Sequence, residues 1–193
     1  MPDNDLEKPG IPTNAKSVFK GILFDVYQWE QKMFDGSTAT FEKLRRDDSA
    51  VVIPVVDGKI LIEEQLQPDW SAPRLTLVSG RCEKGEDPLA AAKREMLEET
   101  GYVSDDWALW KQFRPLSKIV WTAHYYIARN CRKVAEQKLE AGEKINLKTV
   151  SFDEFLMLSE KATFRGFELT PVVYRMRLYP EEKEQFRKLL FGA

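Results

Sequence analysis

Apolar and polar positions first alternate along the chain near its start. Across residues 17–46, Phe19, Ile22, Phe24, Val26, Tyr27 and Trp29 give a partly alternating, strand-rich pattern. Asp35-Gly36 is a turn signal, and residues 38–44 read as the return strand of a β-hairpin. Residues 50–56 form a continuous run of β-branched and apolar side chains, the pattern of a strand buried on both faces. Pro54 interrupts that run and removes one ladder donor. Asp57-Gly58 predicts a second hairpin turn, with residues 59–65 as the next strand. Residues 68–73 read as a loop with Trp70 at its tip, and residues 74–78 as a short strand that ends near Gly80.

The period then changes from two to about 3.6. Asp87 can cap a helix, Pro88 suits its first position, and Gly101 suits the position just past its end. Leu89, Ala92, Met96 and Thr100 form the side predicted to face the core. Residues 107–114 and 119–128 read as two more strands joined near Pro115. Residues 132–144 are charged, include Gly142, and suit a mobile loop before a short strand over residues 146–150. Ser151 with Glu154 makes a capping-box pattern. Thr170-Pro171 starts a further helix, and Pro180 separates it from a last amphipathic one. Strands around a central helix, with helices after them, predict a mixed α/β sandwich.

Composition changes this picture in only a few places. The 193 residues can bury a sizeable core, and 43% hydrophobic content is ordinary for a globular chain. A net charge of −2, from 29 basic and 31 acidic residues, argues against general nucleic-acid binding. No apolar run is long enough to span a bilayer, and no signal peptide is recognised. Residues 1–16, with Pro2, Pro9 and Pro12, read as a loose arm. Two cysteines, Cys82 and Cys131, make no disulfide framework and point to a reducing cytoplasm. His124 is the only histidine, lies in a strand-like run, and is expected to pack or face the surface rather than to react. Any metal site must then rest on oxygen ligands, which favours magnesium, manganese or calcium over zinc.

The predicted central helix carries more acid than a fold needs. Glu95, Glu98 and Glu99 stand at i, i+3 and i+4 and share one face, roughly 100° from the core-facing side. Like charges at that spacing repel by a few tenths of a kcal/mol per pair, a cost that a hard divalent cation reverses. The surrounding residues follow one pattern: Gly80, five residues, Glu86, seven residues, Arg94-Glu95, Met96, one residue, Glu98-Glu99, one residue, Gly101, Tyr102. This resembles the Nudix box, the signature of the Nudix hydrolases, with aromatic Tyr102 where an aliphatic residue is usual. The resemblance implies an α/β/α sandwich with a mixed sheet and hydrolysis of a pyrophosphate by metal-activated water. It implies Glu95, Glu98 and Glu99 as ligands of Mg2+ or Mn2+, joined by a backbone carbonyl of Ser79 or Gly80. It further implies that Arg94 and Glu86 pair to orient them, and that Gly80 and Gly101 supply turn geometry.

The flanks, VVIPVVDGKILIEEQ and LTLVSG, are similar to the branch that contains ADP-ribose pyrophosphatases and nucleoside-diphosphate-sugar hydrolases. The similarity spans residues 17–178, and Pro115 lies near where that branch places a proline after the box. The branch implies ADP-ribose as substrate, cleaved to AMP and ribose 5-phosphate, with another nucleotide sugar or a non-catalytic nucleotide-binding module as alternatives. It implies a general base before the last strand, where Glu143 aligns first and Glu140 second. It also implies a homodimer through the hairpin of residues 17–46, ahead of a hydrolase domain over residues 47–193, with Tyr27 and Trp29 placed to stack a base. The chain departs from the branch at Gln67, where a phosphate-binding arginine is usual, and Arg74 or Arg81 are the candidates to replace that charge.

Overall fold

The computed structural model describes residues 10–114 and 116–192. Most of the expected loose arm, with Pro2 and Pro9, therefore lies outside the described residues, as does Pro115. The first segment forms three strands where the pattern suggested two. β1 (Lys16–Lys20), β2 (Asp25–Lys32) and β3 (Thr38–Arg45) make an antiparallel meander. The extra break falls at Gly21, whose N–H bonds the Phe24 carbonyl at 3.0 Å and turns the chain back. The second turn closes at Asp35-Gly36 as predicted, with Gly36 at φ 87°.

The main sheet begins with β4 (Ser49–Val56) and β5 (Lys59–Leu66). Asp57 and Gly58 join them at φ 48° and 72°, the two positive values of a tight hairpin turn. The next strand is split. β6 (Arg74–Thr76) pairs with β5, and β7 (Val78–Arg81) pairs with β4. That switch explains how Pro54 fits in a central strand. β7 pairs with residues 49–52 and β5 with Val55 and Val56, so the missing amide falls between the two partners.

After α1 (Pro88–Thr100) come β8 (Tyr102–Val103), β9 (Asp106–Phe113), β10 (Ile119–Val120), β11 (Ala123–Arg129), β12 (Arg132–Lys133) and β13 (Lys144–Val150). α2 (Phe152–Met157), α3 (Thr170–Leu178) and α4 (Pro180–Phe191) complete the fold. The central sheet runs β13-β5-β4-β11-β9 and is mixed, since only the β11–β4 pair is parallel. The segment predicted as one strand over residues 119–128 serves two sheets: β10 extends the meander beside β3, and β11 enters the central sheet.

β4 is buried on both faces, and its side chains alternate between two cores. Ala50 and Val52 pack with Val78, Ala91, Ala92 and Met96 beneath α1. Val51 and Ile53 pack with Phe155, Val173, Met176, Phe186 and Leu190 of α2–α4 on the other side. The layers are thus helix, sheet, helices. Each fully buried aliphatic chain contributes about 1.5–3 kcal/mol. The capping box of α2 is present, with Ser151 and Glu154 bonding each other's backbone amides. Cys82 and Cys131 are buried free thiols.

Candidate active site

The caps fix α1 and hence the direction in which its acids point. Asp87 accepts bonds from Leu89 N–H at 3.1 Å and Ala90 N–H at 3.2 Å. Gly101 ends the helix at φ 74°. β7 runs beside the helix, so the backbone of Ser79 and Gly80 lies against Glu95 and Glu99. The contact at Gly80 is close: a Cβ there would fall 1.9 Å from the Glu95 carboxyl. Only glycine leaves that carboxylate its place.

Arg94 organises the acids around it. Its guanidinium bonds Glu86 through Nε and Nη2, both at 3.1 Å, Glu95 Oε1 at 2.7 Å, Glu98 Oε2 at 3.2 Å and the Arg81 carbonyl at 3.1 Å. The Glu86 pair raises the arginine's pKa, and in return Arg94 holds the Glu86 carboxyl below its usual range. Arg94 thus pairs with Glu86 and touches both Glu95 and Glu98.

The remaining acids differ in environment. Glu98 is half-buried. Burial pushes the Glu95 carboxyl up despite the bond to Arg94. Glu99 is the most deeply buried of the three: it is 3% exposed and accepts from Ser79 N–H at 3.0 Å. Its pKa is raised well above the ordinary value, by burial first and then by the charge of Glu63. Glu63 is a site residue that the motif does not contain. It is 1% exposed on β5, accepts from Thr76 Oγ1 at 3.2 Å, and leaves Oε1 buried without a hydrogen-bond partner. Burial pushes its carboxyl up to about 8, with a further upward contribution from Glu143. One signal for it was available in the sequence, since it continues the buried run Ile60-Leu61-Ile62 into a charged residue.

Residues 132–144, predicted as a mobile loop, are pinned to the end of α1. Gln137 Nε2 donates to the Glu99 carbonyl at 2.6 Å, and Lys138 N–H to the Glu98 carbonyl at 2.8 Å. Val134 N–H also bonds the Gly101 carbonyl at 2.9 Å. These bonds bring Glu140 and Glu143 over the acids, where Glu143 Oε2 accepts from Glu140 N–H at 3.0 Å. A cavity of about 440 Å³ results, lined by Ser79, Gly80, Glu95, Glu98, Glu99 and Glu143 among others. Its donors are hard oxygens, and the unpartnered Glu63 oxygen lies behind them, so the set fits a magnesium or manganese ion in chemical type. Among the described residues, no three acidic, imidazole or thiol groups stand arranged to hold a metal as they are. Arg94 bonds Glu95 and Glu98 in this arrangement.

A second cavity of about 450 Å³ adjoins the first and shares Glu83 with it. Arg45, Arg46, Lys84, Arg114 and Trp121 line it. The Arg46 guanidinium stacks on Trp121 at 4.9 Å, and its Nε is buried without a hydrogen-bond partner. Asp48 at the same wall holds His124 Nε2 at 2.9 Å, so the histidine packs as expected. Sequence reasoning missed this cavity because three separate segments build it.

The proposed substrate residues fare unequally. Arg81 lines the acidic cavity. Tyr27 and Trp29 line neither cavity: Tyr27 is half-buried on β2, while Trp29 is 8% exposed and packs on Phe41 at 6.0 Å. Gln67 lies in the loop after β5, where its carbonyl accepts from Trp70 N–H at 3.0 Å. The Arg74 guanidinium lies 5.0 Å from the centre of the Trp70 ring.

Known proteins resemble this chain in sequence and in fold. A family model described as the NUDIX domain matches residues 45–172. A methanol dehydrogenase activator of Bacillus methanolicus is 26% identical over 167 residues, covering 83% of this chain and 89% of its own. An ADP-ribose pyrophosphatase of Bacillus subtilis is 26% identical, covering 75% of this chain and 80% of its own. The ADP compounds hydrolase NudE of Escherichia coli is 26% identical over 52% of this chain and 55% of its own. A crystal structure of an ADP compounds hydrolase superposes with a TM-score of 0.72 at 20% identity, covering 91% of this chain and 95% of that one.

Proposed function

The chain belongs to the NUDIX family as a pyrophosphohydrolase, and we propose that it hydrolyses a nucleoside diphosphate linked to a sugar or sugar phosphate, ADP-ribose first among them. The observation that carries this reading is the pair of adjoining cavities: one rich in carboxylates, the other of mixed charge, where Arg45, Arg46, Arg114 and the Trp121 indole line the wall together with Asp47, Asp48 and Glu86. A pyrophosphate needs a cation-binding centre, and a nucleoside needs an aromatic and cationic wall beside it.

In the proposed mechanism, Glu95, Glu98 and Glu99 with the Ser79 or Gly80 carbonyl would hold Mg2+, or Mn2+ in its place. When bound, the ion neutralises the phosphate oxygens and acidifies the attacking water. Arg94 and Glu86 keep the ligands oriented. Glu143 takes the proton from water as its oxygen adds to one phosphorus. The bond from that phosphorus to the bridging oxygen breaks, and AMP and ribose 5-phosphate leave. The nucleoside occupies the Arg46–Trp121 cavity, and Arg81 faces the phosphates. Dimerisation through the β1–β3 meander and a cytoplasmic location belong to the same reading; no described helix is long and apolar enough to cross a membrane.

The test is incubation with magnesium and a panel of ADP-, GDP- and UDP-sugars, with the products identified. AMP from ADP-ribose is expected. Tight nucleotide binding with no turnover of any compound overturns the proposal.

A further inference from the structure

Two arginines far apart in sequence converge on one indole. The guanidinium carbons of Arg74 and Arg165 lie 5.0 and 4.9 Å from the Trp70 ring centre. The backbone explains the meeting. Leu75 N–H bonds the Thr163 carbonyl at 3.0 Å and Arg165 N–H bonds the Leu75 carbonyl at 2.8 Å, so residues 163–165 run parallel beside β6. Leu75 and Phe164, paired across that bridge, both pack into the core beneath α2–α4. Their neighbours Arg74, Thr76 and Arg165 therefore face the other way, towards the side that carries α1. Thr76 is the residue that bonds the buried Glu63, and Arg74 stands two positions along the same strand, roughly 7 Å away.

The cluster thus lies on the same side of the sheet as the acidic cavity, beyond the residues that line it. Its loop also touches the loop of Glu143, since a Cβ on Gly142 would lie 3.6 Å from Pro68. The Arg46–Trp121 cavity joins the acidic one at Glu83, beyond the opposite end of β7. The nucleoside cavity and the Trp70 cluster thus lie towards opposite ends of the β6–β7 segment, with the acidic cavity between them.

Charge is the second argument. Arg94 in the cavity is saturated with carboxylates, but among the described residues neither Arg74 nor Arg165 has a carboxylate partner or a side-chain hydrogen bond. One cation on an indole is worth about 0.5–1 kcal/mol at an exposed site. A second near the same ring adds repulsion that a bound anion would offset. We propose that Trp70, Arg74 and Arg165 form a subsite for a phosphate carried by the part of the substrate beyond the cleaved pyrophosphate, as a sugar phosphate ester or a longer phosphate chain. The proposal rests on the pyrophosphohydrolase reading.

It is tested by comparing wild type and Arg165→Ala on ADP-ribose, on ADP-ribose phosphorylated at its terminal ribose, and on diadenosine tri- and tetraphosphate. Loss of one charge-assisted phosphate contact is expected to raise KM for a phosphate-bearing substrate roughly tenfold more than for ADP-ribose. A selective loss on the phosphorylated ribose identifies the ester, and one on the diadenosine compounds identifies the longer chain. An equal factor for all substrates, or no loss for any, overturns the subsite. A readout independent of turnover is the Trp70 indole N–H resonance, assigned with Trp70→Phe, during titration with inorganic phosphate. It should move in the wild type and stay still in Arg165→Ala. No movement in the wild type, or an equal movement in both, sinks the subsite even if the enzyme reading holds. If no compound is hydrolysed but the resonance moves selectively, the enzyme reading fails and the anion site stands.

Discussion

Gly80→Ala separates a ligand's position from the stability of the fold. The new methyl would lie 1.9 Å from Cδ and Oε1 of Glu95 and 2.5 Å from its Cγ. All three atoms belong to a flexible side chain, so rotation of Glu95 relieves the overlap without breaking β7. That rotation gives up the 2.7 Å bond to Arg94, made between side chains 30% and 16% exposed. At such exposure the loss is about 1 kcal/mol. Alanine returns some of it by restricting the unfolded chain. For a chain of this size, 1 kcal/mol corresponds to about 2–4 °C in Tm. Activity should suffer far more, because the displaced carboxylate no longer faces the cation. A hundredfold loss, about 2.7 kcal/mol in the barrier, is expected. Thermal unfolding and initial rates of AMP release against magnesium concentration measure the two effects, with Glu95→Gln as reference for the rate. Wild-type rate and magnesium dependence in Gly80→Ala would refute the reasoning. So would a Tm loss of about 10 °C or more, which would mean that the backbone yields instead of Glu95.

Glu99→Gln should keep the Ser79 N–H bond through its amide oxygen, leave Tm nearly unchanged, and abolish turnover; residual activity within tenfold of wild type speaks against a ligand role. Glu98→Gln should behave alike, because Arg94 retains Glu86 and Glu95 as partners. Glu143→Gln should lower kcat at saturating magnesium, and full turnover there removes it as the base, with Glu140→Gln tested next. Burial pushes both thiols from 9.0 up to about 11, so at pH 8 alkylation of Cys82 and Cys131 in the native protein should be about a hundredfold slower than in the unfolded chain. The folded state favours the protonated thiols, so their contribution to stability is complete below pH 9 and is lost as pH rises towards 11. Rapid stoichiometric labelling of both in the native protein at pH 8 contradicts this.

The central helix was legible from local chemistry alone. Asp87, Pro88 and Gly101 act within one helical turn of each end, so their effect does not depend on where the chain goes next. The same holds for the Asp57-Gly58 turn and the Ser151–Glu154 box. The spacing that places Glu95, Glu98 and Glu99 on one face is likewise a property of the helix itself. Other features depended on pairing between distant strands. The passage from β6 to β7 and the meander of β1–β3 follow from which strand lies alongside, a choice that no local pattern encodes. The loop of residues 132–144 looked mobile by composition, yet backbone bonds to Glu98 and Glu99 hold it over the site.

The same division runs through the site. Sequence by itself determined the acidic face, its caps and the glycines that let it meet β7, because each is set by neighbours a few residues away. Tertiary structure alone decided that Glu99 is buried rather than open, that Glu63 stands behind it, and that Arg46 meets Trp121 while Arg74 meets Arg165 on Trp70. Burial and charge coupling depend on distances through space, and those exist only once the strands have chosen their partners.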